Sequence, residues 1–441
     1  MAFSSRSLTF SFLFLIIQTL FFLSQAQVPD SETFEFDNQG DFGDYIVEYG
    51  GNYRALQPFA SPFQLCFYNT TPNAYTLALR MALVSSESQF RWVWEANRGN
   101  PVGENATLTF GKDGNLVLAD ADARVAWQTN TANKGVVGFE LLSNGNMVLR
   151  DAKGNFVWQS FDYPTDTLLV GQSLRLGSKL VSRASAENNV NGPYSFVVER
   201  KQLGLYYKSS NSPKPLLYFS SSEWFNITKG TLVDVSFDGS EQDDGYSYYY
   251  SLDYNLANPT GIGGRYLAWS KYNGTLTLLR LGMDGNIRFY TYNDKVHIVG
   301  AWEMTYILFS RDSEDVSECQ LPERCGKFGL CEDSQCVACP LPSGLMGWSK
   351  TCEPVKVTSC KASDFYYYKL EGVDHFLSRF TKGDGPVKES TCASKCTKDC
   401  KCMGYFYHKD TSRCWIAYDL KTLTRVENSG HVGYIKAPKK Q

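Results

Sequence analysis

The chain is poor in the residues that most chemistry at neutral pH needs. It has four histidines in 441 residues, His297, His375, His408 and His431, and none stands in a His-Glu-x-x-His or similar ligand spacing. No Gly-x-Ser-x-Gly elbow and no phosphate-cradling glycine loop occurs, so no nucleophile and no nucleotide site is indicated. Catalysis is not expected, and neither is a cofactor or a metal. The 43 Lys and Arg are outnumbered by 46 Asp and Glu, with no long basic block, whereas a protein that neutralises phosphates needs the opposite balance. Nucleic acid is excluded as a partner. Past the N-terminal segment there is no run of about 18 apolar residues, and residues 437–441 lack the hydrophobic stretch of a lipid-anchor signal, so no membrane anchor is expected. Cysteine is scarce before residue 319. Cys66 stands alone there, in the apolar run Phe63-Gln-Leu-Cys-Phe-Tyr68, and reads as a small buried hydrophobe.

What is present is apolar and aromatic. With 43% hydrophobic residues, 28 Phe and 27 Tyr, the chain can bury sizeable cores, and its length predicts two to four domains. Residues 1–26 read as a secretory signal, with Arg6 before an apolar run over 8–23 and small residues Ser24 and Ala26 flanking Gln25. Export makes the sequons at Asn69, Asn105, Asn226 and Asn273 expected glycosylation sites. It also makes disulfides the expected state of the twelve cysteines crowded between Cys319 and Cys414, and sets aside zinc at Cys336-x-x-Cys339 or Cys400-x-Cys402.

Residues 27–50 form an acidic stretch sparse in aliphatics, expected to be an extension with at most one strand. From 50 to 305 short apolar runs are broken by Gly, Asn, Asp and Pro every 8–12 residues, an all-β pattern. Asp113-Gly114 and Asn144-Gly145 carry the dipeptides of two-residue hairpin turns. A shift of 31 residues maps Asp113-Gly-Asn115 onto Asn144-Gly-Asn146, Val117 onto Val148, Trp127 onto Trp158 and Gln128 onto Gln159. Trp94 lies 33 residues before Trp127, so three related units are expected to bring three tryptophans to a shared centre. A weaker echo at Asp284-Gly-Asn286 predicts a second domain of the same kind. There Tyr246, Tyr248, Tyr250 and Tyr254 share one strand face, for core packing or for sugar stacking, and Tyr249 takes the other. In the cysteine-rich part Ser390 is expected to cap a short helix that presents Cys392 and Cys396 on one face.

The segments Phe63-Gln-Leu-Cys-Phe-Tyr68, Trp92-Val-Trp-Glu-Ala-Asn-Arg-Gly-Asn-Pro101, the Asp-Gly-Asn-Leu-Val-Leu repeat and Val157-Trp-Gln-Ser-Phe-Asp-Tyr-Pro-Thr-Asp-Thr-Leu-Leu169 resemble the extracellular region of plant S-locus glycoproteins and lectin receptor kinases. In overall arrangement the chain is most similar to the epidermis-specific secreted glycoproteins. The resemblance implies a mainly β protein: tandem bulb-type lectin domains of β-prism fold over 51–170 and 171–312, an EGF-like module over 313–355, and an α+β PAN/apple domain over 356–437. It implies the pairs Cys319–Cys331, Cys325–Cys336 and Cys339–Cys352 in one cysteine group, and Cys360–Cys400, Cys392–Cys414 and Cys396–Cys402 in the other. Sequence by itself allows 15 pairings in each sextet.

Sugar-binding members of that family hold mannose with a Gln-x-Asp-x-Asn-x-Val-x-Tyr strand, whose amides and carboxylate address sugar hydroxyls while Val packs on the ring. The matching residues here are Asp113, Asn115 and Val117, then Asn144, Asn146 and Val148, then Asp284, Asn286 and Tyr290. Gly111 and Ala119, Leu142 and Arg150, and Gly282 replace outer positions, and Arg288 replaces Val, so every site is degraded. The survivors either bind sugar or persist as turns. Asp315-Val-Ser317-Glu-Cys319 resembles the entry to calcium-binding EGF modules, but Ser317 stands where a ligand is usual, so no ion is expected. The implied product is a secreted, glycosylated, lectin-like binding protein of the plant cell wall or apoplast. Cell-wall glycans or glycoproteins are its expected partners. The alternative is an extracellular protein partner, engaged through the C-terminal modules or the tyrosine-rich surface without sugar.

Overall fold

The computed structural model describes residues 27–84, 89–241, 247–270, 275–296, 300–313 and 316–439. The leader segment, Tyr246, the Asn273 sequon, His297 and Asp315 lie outside them. The chain divides into two units, residues 1–163 with 296–300, and residues 164–295 with 301–441.

The first unit is a prism of three antiparallel sheets. One runs Asn52–Ala60, Phe63–Asn69, Tyr75–Met81, Arg91–Glu95; a second Phe34–Asp37, Thr107–Phe110, Leu116–Ala119, Val125–Gln128; a third Phe156–Gln159, Met147–Asp151, Val136–Leu141. No sheet can bury its apolar face by itself, so the three close on a common axis. At that centre Trp94, Trp127 and Trp158 meet edge to face, with ring centroids 5.6, 5.9 and 6.2 Å apart. The stretch 27–50 is not an extension. Phe34–Asp37 pairs with Thr107–Phe110, and Phe34 lies 5.6 Å from Phe110 and 5.4 Å from Phe139. Val28, Asn38 and Val47 are buried. The one strand allowed for in this stretch is thus part of the prism, and acidic composition hid its packing because its two phenylalanines alternate with Glu35 and Asp37, which face solvent.

The second unit opens with another prism of three four-stranded antiparallel sheets. They run Thr167–Leu169, Thr277–Leu281, Ile287–Tyr292, Trp302–Ile307; then Gln172–Arg175, Thr231–Glu241, Tyr248–Ala257, Gly261–Ser270; then Lys179–Arg183, Asn191–Val198, Leu203–Tyr207, Leu216–Ser220. Thr167–Leu169, expected to close the first domain, pairs with Thr277–Leu281 instead. The division therefore falls at 163/164 rather than 170/171.

The cysteine-rich region does not form two separate beads. Phe328–Glu332 pairs in parallel with Lys421–Arg425, so one five-stranded sheet crosses the expected boundary at 355/356. A four-stranded sheet of Phe365–Glu371, His431–Pro438, Gly404–His408 and Arg413–Ala417 carries the helix Glu389–Lys398. The disulfides are Cys319–Cys331, Cys325–Cys336, Cys339–Cys352, Cys360–Cys400, Cys392–Cys414 and Cys396–Cys402, the pairs that the resemblance implies. Ser390 is not the cap: Lys388 holds the N-cap position without a side-chain bond, and Glu389 puts a negative charge in the first turn. A single apolar core runs from Leu168 in the prism through Leu330 to Ile435, with Phe219 against Phe380 at 5.7 Å.

Candidate functional site

The three Asp/Asn-Gly-Asn sequences make the same turn. In the first, Gly111 C=O accepts from Gly114 N at 2.9 Å and Gly111 N donates to Asn115 O at 3.3 Å. The pattern recurs at Leu142, Gly145 and Asn146, and at Gly282, Gly285 and Asn286. These are three-residue loops, a type I turn followed by a glycine in the left-handed region, not the two-residue turns that the dipeptides predicted. Only the glycines have positive φ, +78° at Gly114, +85° at Gly145 and +81° at Gly285. The preceding Asp or Asn stays right-handed and uses its side chain locally: Asp113, Asn144 and Asp284 each accept the backbone N–H two residues on, at 3.0, 3.1 and 3.1 Å.

The asparagines that follow are turned inward. Asn115 donates to Gln128 Oε1 at 2.8 Å while its own oxygen accepts from Thr129 Oγ1 and Thr131 N, each at 3.0 Å. Asn146 repeats this with Gln159 Oε1 at 2.9 Å and with Ser160 Oγ and Phe161 N at 3.2 Å. Asn286 exchanges both bonds with the backbone of Phe309, at 2.8 and 3.0 Å. All three are buried. Sequence reasoning missed their partners, although Gln128 and Gln159 were visible as a conserved step of the internal repeat. Val148 is fully buried, Val117 and Tyr290 are half-buried, and Arg288 ion-pairs with Asp284 at 2.6 Å. The carried-over positions thus share one turn geometry.

A polar concavity of about 560 Å³ lies in the first unit, lined among others by Asn73, Glu104, Asn105, Asp120 and Asp122. Its carboxylates are tied to their own chain. Arg54 pairs with Glu104 at 2.8 Å, and Tyr75 donates to it, so Glu104 is held below the usual carboxylate range. Asp120 is lowered chiefly by the Gly103 N–H at 3.0 Å and also by Arg124 at 2.8 Å. Of the sequons, Asn105 and Asn226 are exposed, but Asn69 is 4% exposed at a strand end, with its oxygen facing Asn52 Nδ2 at 3.4 Å. A glycan at Asn69 would have to displace this packing. Cys66 is fully buried and burial pushes its thiol up to about 12, so it stays protonated. At the calcium-like entry Ser317 Oγ is spent on Cys319 N at 3.2 Å, and Glu318 pairs with Arg324 at 2.9 Å.

The tyrosine row splits as alternation dictates. Tyr250 is in the core, its hydroxyl within 2.9 Å of Ser270 and Thr277, and Tyr254 packs on Phe225 at 4.8 Å. On the opposite face Tyr249 lies across from Trp269 and 5.2 Å from Tyr266. A bulge after Tyr250 returns Tyr266 to that face. Trp269 is 68% and Tyr266 69% exposed, an aromatic platform on an open sheet face. Trp269 carried no motif, and only its period-2 relation to Tyr249 across the hairpin could have marked it.

A three-sheet prism centred on tryptophans and repeated on Asp/Asn-Gly-Asn turns is the architecture of a bulb-type lectin domain, and residues 91–187 match the family model described as D-mannose binding lectin. EP1-like glycoprotein 3 of Arabidopsis thaliana is 51% identical over 419 residues, covering 94% of each chain. Epidermis-specific secreted glycoprotein EP1 of Daucus carota is 58% identical over 382 residues, covering 83% of this chain and 97% of its own. The chain belongs to this family of EP1-like secreted glycoproteins. A G-type lectin S-receptor-like serine/threonine-protein kinase of Arabidopsis thaliana is 26% identical over 369 residues, which cover 78% of this chain and 38% of the kinase. No helix among the described residues is long and apolar enough to cross a membrane.

Proposed function

We propose that this protein is a non-enzymatic, glycosylated binding protein of the plant cell wall whose Asp/Asn-Gly-Asn positions stabilise the prisms instead of holding mannose. One observation carries this reading: in all three turns the buried asparagine amide donates one N–H to, and accepts on its oxygen from, the chain's own groups. A sugar hydroxyl would have to displace a buried bond, at a cost of about 1–3 kcal/mol per group left unpaired. Wall glycans or glycoproteins are bound instead on the Tyr249, Tyr266 and Trp269 face, where flat aromatic rings can receive the apolar face of a pyranose. A second reading, recognition of an extracellular protein without sugar, draws on Ile262, 85% exposed on the same edge strand and suited to an apolar protein contact.

Glycan-array binding of the secreted protein, freed of its own glycans, tests both readings. Binding that survives Asp113→Ala and is lost in Trp269→Ala is the expected result. Mannoside binding lost in Asp113→Ala would restore the turns as sites, and a blank array would favour the protein partner.

A further inference from the structure

Three chemistry-bearing side chains that no motif connects are brought together in the C-terminal region. His408 ends the strand Gly404–His408, His431 begins His431–Pro438, and the two stand opposite each other in the antiparallel pair. Their rings are parallel, 3.5 Å apart and 8° from coplanar. Asp374 arrives from the other sheet, on Val373–His375, 34 residues before His408 and 57 before His431. One oxygen, Asp374 Oδ1, lies 2.8 Å from His408 Nε2 and 2.9 Å from His431 Nδ1.

We propose that Asp374, His408 and His431 form a binding site for a divalent transition metal, Cu²⁺ ahead of Zn²⁺. The ligand atoms of all three lie within 4.8 Å of one another, and an ion about 2.0–2.2 Å from each would sit among them after a small ring rotation. Two imidazoles and one carboxylate are a borderline donor set that selects Cu²⁺ and Zn²⁺ over Ca²⁺ and Mg²⁺, which prefer all-oxygen cages. Three protein ligands leave a coordination position for water or a donor from a partner. The side chains are positioned but reachable: His408 is held against Trp415 at 4.4 Å, while His431 and Asp374 keep 22% and 23% of their side chains exposed. His375, next in sequence to Asp374, shows what a purely structural histidine looks like here. It is buried, with Nε2 on the Asp419 carbonyl at 2.9 Å and Nδ1 accepting from Leu377 N at 3.3 Å, so both nitrogens are committed to backbone. His408 and His431 instead aim one nitrogen each at a carboxylate. On metal binding each ring presents that nitrogen's lone pair to the ion and carries a proton on the other nitrogen.

The test is titration of the full-length, metal-stripped protein with Cu²⁺ and then Zn²⁺ alone, by calorimetry and, for Cu²⁺, electron paramagnetic resonance. One ion per chain at micromolar affinity or tighter is expected, with hyperfine structure from two nitrogens. Asp374→Asn and His431→Gln should each weaken binding by about tenfold or more. Circular dichroism checks that each variant is folded, and the nitrogen count on the unmodified protein does not depend on any variant. Binding weaker than millimolar, a spectrum without two nitrogens, or equal affinity in a folded His408→Gln/His431→Gln protein would overturn the site.

Discussion

Tyr194 donates its hydroxyl to Glu323 Oε2 at 2.7 Å, joining a strand of the second prism to the first disulfide-stapled loop 129 residues away. The same carboxylate pairs with Lys421, whose ammonium lies 5.0 Å from the Tyr207 ring centroid. One acidic side chain thus ties together the prism, the stapled loop between Cys319 and Cys331, and the strand Lys421–Arg425. Burial and the neighbouring Glu323 charge push the Tyr194 hydroxyl far above its ordinary range, so it remains a donor at every physiological pH. Tyr194→Phe should lower the stability of the second unit by about 1.5–3 kcal/mol, read as an earlier thermal transition. Glu323→Ala, which strands two partners, should cost more.

Truncation follows from the same relationship. A chain ending at residue 355 loses Lys421–Arg425, the strand beside Phe328–Glu332, and uncovers Phe219 where Phe380 packs. Such a product is expected to be retained or aggregated, not secreted. Recovery of a monodisperse truncated protein would show that the shared core is dispensable.

The turn glycines differ in what surrounds them. A Cβ at Gly114 would lie 2.7 Å from the Val136 Cβ in addition to the positive φ, whereas Gly154, with φ +84°, has nothing within 4 Å. Gly154→Ala should cost about 1 kcal/mol, and Gly114→Ala a further 1–3 kcal/mol, roughly, for the forced contact. Denaturant midpoints of the first unit compare them directly.

Among the described sequons, glycans are expected on Asn105 and Asn226 and not on Asn69, whose amide is covered at the strand end. Glycopeptide mass spectrometry after release in heavy-oxygen water reads occupancy site by site. Full occupancy at Asn69 would mean that the strand Phe63–Asn69 ends earlier than described.

Acid sensitivity should enter through His375. Burial pushes its pKa down to about 4 from the ordinary 6.5, outweighing the hydrogen bond to the Asp419 carbonyl and the nearby Asp374 charge, which both favour the protonated ring. The unfolded chain takes up that proton first, so stability is full above about pH 6.5 and falls as the pH drops toward 4, by roughly 3 kcal/mol in total. Urea midpoints for the second unit at pH 7 and 4.5 measure the slope, and a folded His375→Gln protein should flatten it.

Much of this was legible in sequence because it is local and periodic. The strands, the three-unit repeat and the meeting of Trp94, Trp127 and Trp158 follow from alternation and spacing, and cysteine crowding marked the stapled region. The helix bearing Cys392 and Cys396 was legible too, its cap not, since Lys388 carries no capping chemistry. One strand was allowed for in the acidic first stretch, but its packing was missed, because two phenylalanines among carboxylates read as solvent-exposed chain until Phe110 and Phe139 are placed beside Phe34.

The sequence by itself determined a mainly β, disulfide-stapled protein of repeated turns, because side-chain periodicity, glycine's access to positive φ and cysteine number act over a few residues. Tertiary structure alone decided what the motif residues do. Asn115, Asn146 and Asn286 keep the asparagine position of a sugar-binding strand, yet their amides are engaged by groups 13 to 23 residues away. Asp374, His408 and His431 carry no spacing signal at all, and two sheets folding against each other bring them to one point. Hydrogen bonding and metal ligation depend on distances of about 3 Å, and across strands those distances are set by register and packing, which a linear pattern does not contain.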